Sequence, residues 1–123
     1  MGSVVNTITI IQCWDKQEAH KIREEAVKDW IEYYKSQAID LSSEIDTLIS
    51  PVLRTVYNDE YTIIINGDGS KSGRSVGCKA EEFRKTWTEK IYNNHNYCVL
   101  SVFSISTECD GGWIEYNVPK EVI

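Results

Sequence analysis

The chain has 123 residues, 41% hydrophobic and 26% charged, which fits one globular domain over residues 1–123 and excludes collagen-like or wholly disordered chains. Nineteen acidic against thirteen basic residues give a net charge of −6, which argues against binding along a long nucleic acid, because that task requires clustered lysines and arginines. No apolar run approaches the roughly 20 residues of a membrane span, and the N-terminus lacks the pattern of a signal peptide, so no membrane partner is expected.

The first half of the chain has the pattern of a strand, two helices and a hairpin. An N-terminal run of β-branched apolar residues predicts a strand with at least one buried face. Asp15 then provides an N-cap, and the apolar residues after it recur at helical spacing as far as Tyr34. Pro51 ends a second helical pattern, and Asn58-Asp59 forms the turn of the hairpin. The predicted elements are Val4–Trp14, a helix from Asp15, a helix over Asp40–Ser50, and strands over Val52–Tyr57 and Glu60–Asn66.

The second half of the chain predicts a helix and two strands after a turn-rich stretch. That stretch, Asn66–Gly77, contains four glycines and three serines (NGDGSKSGRSVG). Phe83, Trp87 and Ile91 follow at intervals of four residues, which is typical of one helix face. The predicted elements are a helix over Lys79–Asn94 and strands over Tyr97–Ser106 and Trp113–Val118, with a turn at Asp110–Gly112.

The order of these elements, β-α-α-β-β-α-β-β, predicts an α+β fold with a mainly antiparallel sheet and helices packed on one face. A ferredoxin-like βαββαβ core with an extra C-terminal strand fits this order. Thr62–Ile65 and Val99–Phe103 are expected inside the sheet, because they are apolar on both faces. Trp30, Ile45 and Trp87 are expected to pack against one face of it.

The four cysteines include no Cys-x-x-Cys pair, and the two histidines fall outside any zinc spacing. Cys13 and Cys98 lie in apolar runs, where a thiol behaves as a small hydrophobic group. We therefore expect structural thiols in a reducing compartment, with neither a metal nor a cofactor. Cys98 and His95 are close in sequence, but their odd offset on a strand would point them to opposite faces.

Catalytic motifs are scarce in this sequence. His-Glu-x-x-His does not occur, nor do two histidines on one helix turn. We therefore do not expect an enzyme. An enzyme acting on a nucleotide would need a general base, for which Asp68, Glu82 and His95 are the candidates.

Asn66–Gly77 is the most informative segment of the chain. Glycines allow backbone N–H groups to point inward at an anion, serines add hydroxyl donors, and Lys71 and Arg74 add positive charge. The following helix presents its N-terminus to the same place. Within this segment, Asp68 and Ser70 are candidate ligand contacts. The alternative is a surface connection that binds nothing.

The helix after this segment carries side chains that suit a nucleotide. Phe83 can stack on a base, and Arg84 or Lys85 can neutralise a phosphate. Asn93 can hydrogen-bond a purine edge or a ribose hydroxyl. The alternative is that Phe83 belongs to the core and that the cations lie on a solvated face. Arg23, on the first helix, is a further candidate that could point toward the sheet edge.

The segment Ile65–Gly73 (INGDGSKSG), the spacing of Phe83, Lys85 and Asn93, and a composition rich in Ile, Lys, Asn and Tyr resemble the Thoeris anti-defence sponge proteins of phages. Proteins of that family are small α+β oligomers that sequester cyclic ADP-ribose-type signals without cleaving them. The resemblance implies that Phe83 stacks on the adenine and that Asn93 contacts polar groups of the nucleotide. It implies that Lys85 or Arg84 faces phosphate, and that the protein acts in the cytoplasm of an infected bacterial host.

A second class of function stays open, that of an acidic protein-binding inhibitor such as an immunity, anti-restriction or anti-CRISPR factor. A sponge needs arginines and lysines that converge, whereas an inhibitor of this kind needs acids in one patch. Along the first helix, lysines interrupt the acids. For either class, thirteen aromatic residues exceed what one small core can enclose, which predicts a homodimer or a higher homo-oligomer.

Overall fold

The structure is a computed structural model that describes residues 5–69, 75–95, 98–106 and 113–117. Its elements follow the predicted order, so the expected α+β fold is confirmed. In chain order they are β1 (Val5–Cys13), α1 (Lys16–Ser36), α2 (Ile45–Leu48), β2 (Leu53–Arg54), β3 (Tyr61–Ile65), α3 (Ser75–Asn94), β4 (Cys98–Ser106) and β5 (Trp113–Asn117). The turn expected at Asp110–Gly112 lies outside the described residues.

The five strands form one antiparallel sheet in the order β2-β3-β1-β4-β5. The first four strands have the order of a ferredoxin-like split β-α-β core, and β5 extends it at the β4 edge. β1 is the central strand, and its alternate residues Thr9, Ile11 and Cys13 are buried on one face. β3 and β4 flank it on either side, which confirms that Thr62–Ile65 and Val99–Phe103 lie inside the sheet.

Both long helices pack on the sheet face that carries Ile11, and Trp30 is at the centre of their contact. Its indole is 1% exposed. The rings of Phe83 and Trp87 meet it nearly edge-on, with centroids 4.7 and 4.8 Å away. Trp87 and Trp30 are thus core residues as predicted, and Ile45 packs against the same core while remaining partly exposed.

The helix expected over Asp40–Ser50 is limited to Ile45–Leu48, and the residues after it join the sheet instead. Ile49 is fully buried and forms a bridge with Ile65 at the edge of β3. Leu48 accepts a hydrogen bond from the backbone N–H of Asn66, so its carbonyl is also directed to the sheet. Burial of one isoleucine thus overrides the helical spacing of its neighbours.

We expect Trp87→Ala to lower the free energy of unfolding by about 3–5 kcal/mol, because it opens a cavity in the aromatic core and removes a hydrogen bond from the indole to Asp29. Trp14→Ala is the matched control, since that indole is 54% exposed and its loss should change stability by no more than about 0.5 kcal/mol. Urea unfolding of both variants measures the difference. Equal losses would contradict the assignment of Trp87 to the core.

Candidate functional site

Arg84 is a charged side chain inside the protein, with only 4% of it exposed. Its Nη2 donates a hydrogen bond to the backbone carbonyl of Asn66, and its guanidinium carbon lies 5.6 Å from the ring centroid of Trp30, within cation–π range. Its Nη1 is buried and has no hydrogen-bond partner among the described residues. The expected alternative, a solvated face carrying the cations, is therefore wrong for Arg84.

Burial lowers the pKa of Arg84, while the nearby Tyr34, Asp68 and Glu81 oppose that shift. An arginine keeps its charge in such surroundings, because its ordinary pKa is so high. A buried charge with an unused donor is unfavourable unless an acceptor or an anion meets it. The environment of Arg84 is therefore suited to an additional acceptor.

The segment that follows β3 is fixed beside Arg84 by side chains from α1 and β1. The hydroxyl of Tyr34 donates to the carboxylate of Asp68, and the backbone N–H of Gly69 donates to Oδ1 of Asn6 at 3.0 Å. A Cβ at Gly67 would lie 2.5 Å from the same Asn6 oxygen, so glycine is required for this close approach. The first part of the turn-rich stretch, residues 66–69, is thus held in a defined conformation.

Two tyrosines of α1 present hydroxyls at this corner. Burial, with help from Asp68, raises the pKa of Tyr34, and burial followed by the charges of Asp68 and Glu82 raises the pKa of Tyr33. Both hydroxyls are therefore neutral donors at physiological pH. The Tyr33 hydroxyl is buried, and like Nη1 of Arg84 it has no hydrogen-bond partner in the described part of the chain.

Phe83 lies beside this corner, in the contact between α1 and α3. Its ring stacks on that of Tyr33, with centroids 4.4 Å apart and planes 9° apart. A shallow cleft of about 400 Å³ opens next to the pair, with Asp29 and Glu32 on one side and Lys90 on the other. Phe83 therefore already has a stacking partner within the protein, and its half-buried ring also lines a cleft.

Of the predicted ligand residues, the structure brings Arg84, Asp68 and Phe83 together. Lys85 is one position along α3 and exposed. Asn93 is exposed too, about 13 Å from Arg84 along the helix axis. Ser70 lies outside the described residues, as do Lys71 and Arg74, named above as further cations.

Arg23 belongs to a different part of the molecule. Its Nε donates to the backbone carbonyl of Ser50 at 2.8 Å, and its Nη2 pairs with Asp46 at 3.2 Å. It lies 11 positions before Tyr34, about 16 Å along α1. The structure therefore separates it from the corner around Arg84.

Sequence reasoning missed Tyr33, Tyr34 and Trp30 as members of this corner, because it assigned them only to the buried face of α1. A signal for the burial of Arg84 was present: it lies on the same helical stripe as Ala80, Trp87, Thr88 and Ile91, all of which are buried. No pattern in the sequence indicates its acceptor, a backbone carbonyl 18 positions away.

Residues 73–77 read Gly-Arg-Ser-Val-Gly, which matches the Gly-x-Ser-x-Gly motif of serine hydrolases. That motif works where the serine sits on a sharp turn directly after a strand. Here nine residues separate the end of β3 from Ser75, the first residue of α3. His95 follows the opposite end of α3, about 30 Å away along its axis, so it cannot act as the base for that serine.

The prediction that Cys98 and His95 point to opposite faces of a strand is also wrong. His95 lies just past α3 rather than on β4, and its backbone N–H still donates to the helix at Ile91. The sulfur of Cys98 and Nδ1 of His95 both lie near Oε1 of Glu18, at 3.4 and 3.5 Å. This cysteine corner is at the other end of β1 from Arg84.

Neither a protein-family model, nor a curated protein, nor a solved structure matches this chain. Within the described ranges, no three metal-ligating side chains converge on one point. Across the same ranges, every helix is too short or too polar to cross a membrane.

We expect Arg84→Ala to lower the free energy of unfolding by about 2–3 kcal/mol, because it leaves the Asn66 carbonyl without its charged donor. Lys85→Ala is the matched control on the next position of the same helix, and it should change stability by no more than about 0.5 kcal/mol. Denaturant titration of the two variants makes the comparison. A smaller loss for Arg84→Ala than for Lys85→Ala would contradict the buried contact.

Proposed function

We propose that this protein binds a small anionic nucleotide, of the cyclic ADP-ribose type, and sequesters it without cleaving it. The observation that carries the proposal is the buried Nη1 of Arg84, a charged donor without an acceptor among the described residues. The resemblance of the Ile65–Gly73 segment to phage anti-defence sponge proteins supports the choice of ligand. The same resemblance supports a cytoplasmic place of action.

Phosphate fits the unused donors of this corner. A guanidinium presents two parallel N–H groups to phosphate oxygens, and such charge-assisted hydrogen bonds contribute about 1.5–3 kcal/mol each. The buried hydroxyl of Tyr33 is a second donor of suitable type. Because both donor atoms are buried, both interactions are stronger here than they would be in water.

The aromatic rings next to Arg84 support recognition of a base. Tyr33 and Phe83 form a stacked pair, and the edge of Phe83 meets Trp30. Stacking of a base on such rings contributes about 1–3 kcal/mol. A cyclic nucleotide is already preorganised, so little of this free energy is spent on ordering the ligand.

The bound nucleotide is expected to stay intact, because none of the three candidate general bases is suited to act on it. Asp68, the acid beside Arg84, accepts a hydrogen bond from Tyr34, so its carboxylate already has a partner within the protein. Glu82 is exposed to solvent. His95 contacts Glu18 and Glu25 at the other end of β1. Of the three base candidates, only Asp68 lies beside the proposed phosphate, and Tyr34 already donates to its carboxylate.

A homodimer remains part of this proposal. The sheet face opposite α1 and α3 carries Ile8, Ile10, Ile64 and Val99, of which Val99 is exposed and the others are partly exposed. Among the side chains that the structure describes in the strands, this face carries no charge, and on a chain of net charge −6 it is the surface on which two copies meet with the least repulsion. Light scattering should therefore give at least twice the mass of one chain.

One observation favours the alternative of a protein-binding inhibitor. Val56 and Tyr57 are 85% and 82% exposed at the turn between β2 and β3, and Leu53 nearby is 43% exposed. Exposed aromatic and aliphatic side chains at a loop tip are typical of contacts to a protein partner. If this class is correct, Tyr57→Ala weakens partner binding and changes no nucleotide affinity.

The test is a melting experiment with cyclic ADP-ribose isomers, cyclic dinucleotides and NAD. A ligand at 100 times its Kd should add about 2.7 kcal/mol to the stability of the folded state. Tyr33→Phe removes one hydroxyl without changing the ring, and it should weaken binding about fivefold to tenfold. Tyr57→Phe, at the exposed loop tip, is the matched control and should bind as the unchanged chain does.

Absence of any melting shift with all of these nucleotides would contradict the proposal. Equal affinities of Tyr33→Phe and Tyr57→Phe would move the site away from this corner. Recovery of a hydrolysed ligand after denaturing the complex would make the protein an enzyme.

A further inference from the structure

Cys13 and Cys98 are direct partners in the antiparallel pairing of β1 with β4. Their sulfur atoms are 2.9 Å apart, longer than the S–S bond of about 2.05 Å but close for two unbonded sulfurs. Opposed residues of antiparallel strands have Cα atoms about 4.5–5.5 Å apart, which lies inside the range of about 4.4–6.8 Å that disulfides span. The backbone therefore already holds the two cysteines at a distance that a disulfide can bridge.

The surroundings of the pair contain a proton acceptor. Oε1 of Glu18 lies 3.4 Å from the sulfur of Cys98, and the same oxygen lies 3.5 Å from Nδ1 of His95. The hydrogen bond with Cys98 lowers the pKa of Cys13, whereas the hydrogen bond with Cys13, burial and Glu18 raise the pKa of Cys98. Cys98 therefore keeps its proton longer than Cys13 does, and attack by the Cys98 sulfur requires that proton to move to Glu18 as the new bond forms.

The two cysteines differ in exposure. Cys13 is completely buried between β1, β4 and α1, whereas Cys98 is only partly buried. A small molecule can therefore reach Cys98 first, and Cys13 is then positioned to react with whatever Cys98 has bound. This arrangement of one accessible and one resolving thiol is that of redox-active cysteine pairs.

We propose that Cys13 and Cys98 are a redox-active dithiol that small disulfides of the glutathione type oxidise to a cross-strand disulfide. Glu18 accepts the Cys98 proton as the Cys98 sulfur attacks one sulfur of the small disulfide. The other sulfur leaves as a thiolate and takes up that proton. The Cys13 sulfur then attacks the Cys98 sulfur of the mixed disulfide, and the second small thiol leaves with the proton of Cys13.

Overall, one small disulfide is reduced to two thiols, while two protein thiols are oxidised to one disulfide. The new bond closes a loop across 85 positions of the chain, which restricts the unfolded state and so stabilises the fold. It also removes the S–H near Glu18, so the carboxylate keeps only His95 as its neighbour among the contacts described above. Oxidation of the two thiols does not depend on nucleotide binding.

The experiment uses the full chain with Cys78→Ser and Cys109→Ser, so that the pair is the only source of thiols. The folded protein is equilibrated with excess oxidised glutathione, quenched with an alkylating reagent and weighed by mass spectrometry. We expect the mass of an unalkylated chain that has lost two hydrogens, a higher urea midpoint than the reduced form, and recovery of both thiols with dithiothreitol.

Single variants in this background test the order of the two steps. Cys13→Ser should stop at the mixed disulfide and retain one glutathione on Cys98. Cys98→Ser should leave the Cys13 thiol unmodified, because the small disulfide cannot reach it. Two alkylatable thiols, or two bound glutathiones, at equilibrium in the folded protein would overturn the proposal.

The unchanged chain gives an independent measurement if the serine variants fail to fold. After the same treatment, proteolysis should release a peptide pair linked through Cys13 and Cys98. Linkages that involve only Cys78 or Cys109, or no linkage at all, would overturn the proposal as well.

Discussion

The buried guanidinium of Arg84 is the interaction on which the arrangement of this protein depends. It contacts the indole of Trp30 on α1 and the backbone carbonyl of Asn66 after β3, and it belongs itself to α3. One side chain thus joins both long helices and the segment that follows β3. Removing it would leave that carbonyl without its charged donor. The carbonyl and the indole of Trp30 together stabilise the charge within an aromatic core.

The same residue links stability to the proposed function. Internal partners use Nη2, while Nη1 of Arg84 and the hydroxyl of Tyr33 have no acceptor among the described residues. Burial of two such donors is unfavourable for stability, because each unsatisfied group opposes folding by roughly 1–3 kcal/mol. The proposed nucleotide offsets this at the moment of binding. The unsatisfied donors and the proposed binding site are therefore expected at the same corner.

Much of the fold could be predicted because its signals are local. Asp15 accepts a hydrogen bond at the start of α1 as an N-cap does, and the spacing of Ala19, Ile22 and Ala26 predicts the buried face that follows. What could not be predicted depends on contacts between distant segments. Ile49 leaves a helical pattern because β3 offers it a buried place, and only the folded chain brings the Asn66 carbonyl to Arg84.

The two corners at the ends of β1 are chemically distinct. Asn6, at the Arg84 end, and Cys13, at the cysteine end, are seven positions apart, which is about 23 Å along a strand. The sequence prediction placed His95 and Cys98 on opposite faces because it applied strand alternation to His95, which lies between α3 and β4 rather than on β4. The contact of both with Glu18 comes from the packing of α1 against the sheet.

The most direct measurement of the central idea is an NMR titration that follows the arginine side-chain N–H signals as cyclic ADP-ribose is added. Our account predicts that the signals of Arg84 shift in proportion to the bound fraction. The signals of Arg54, which pairs with Asp59 on the surface at 3.1 Å, should stay where they are. Binding of the nucleotide with no change in the Arg84 signals would contradict the account.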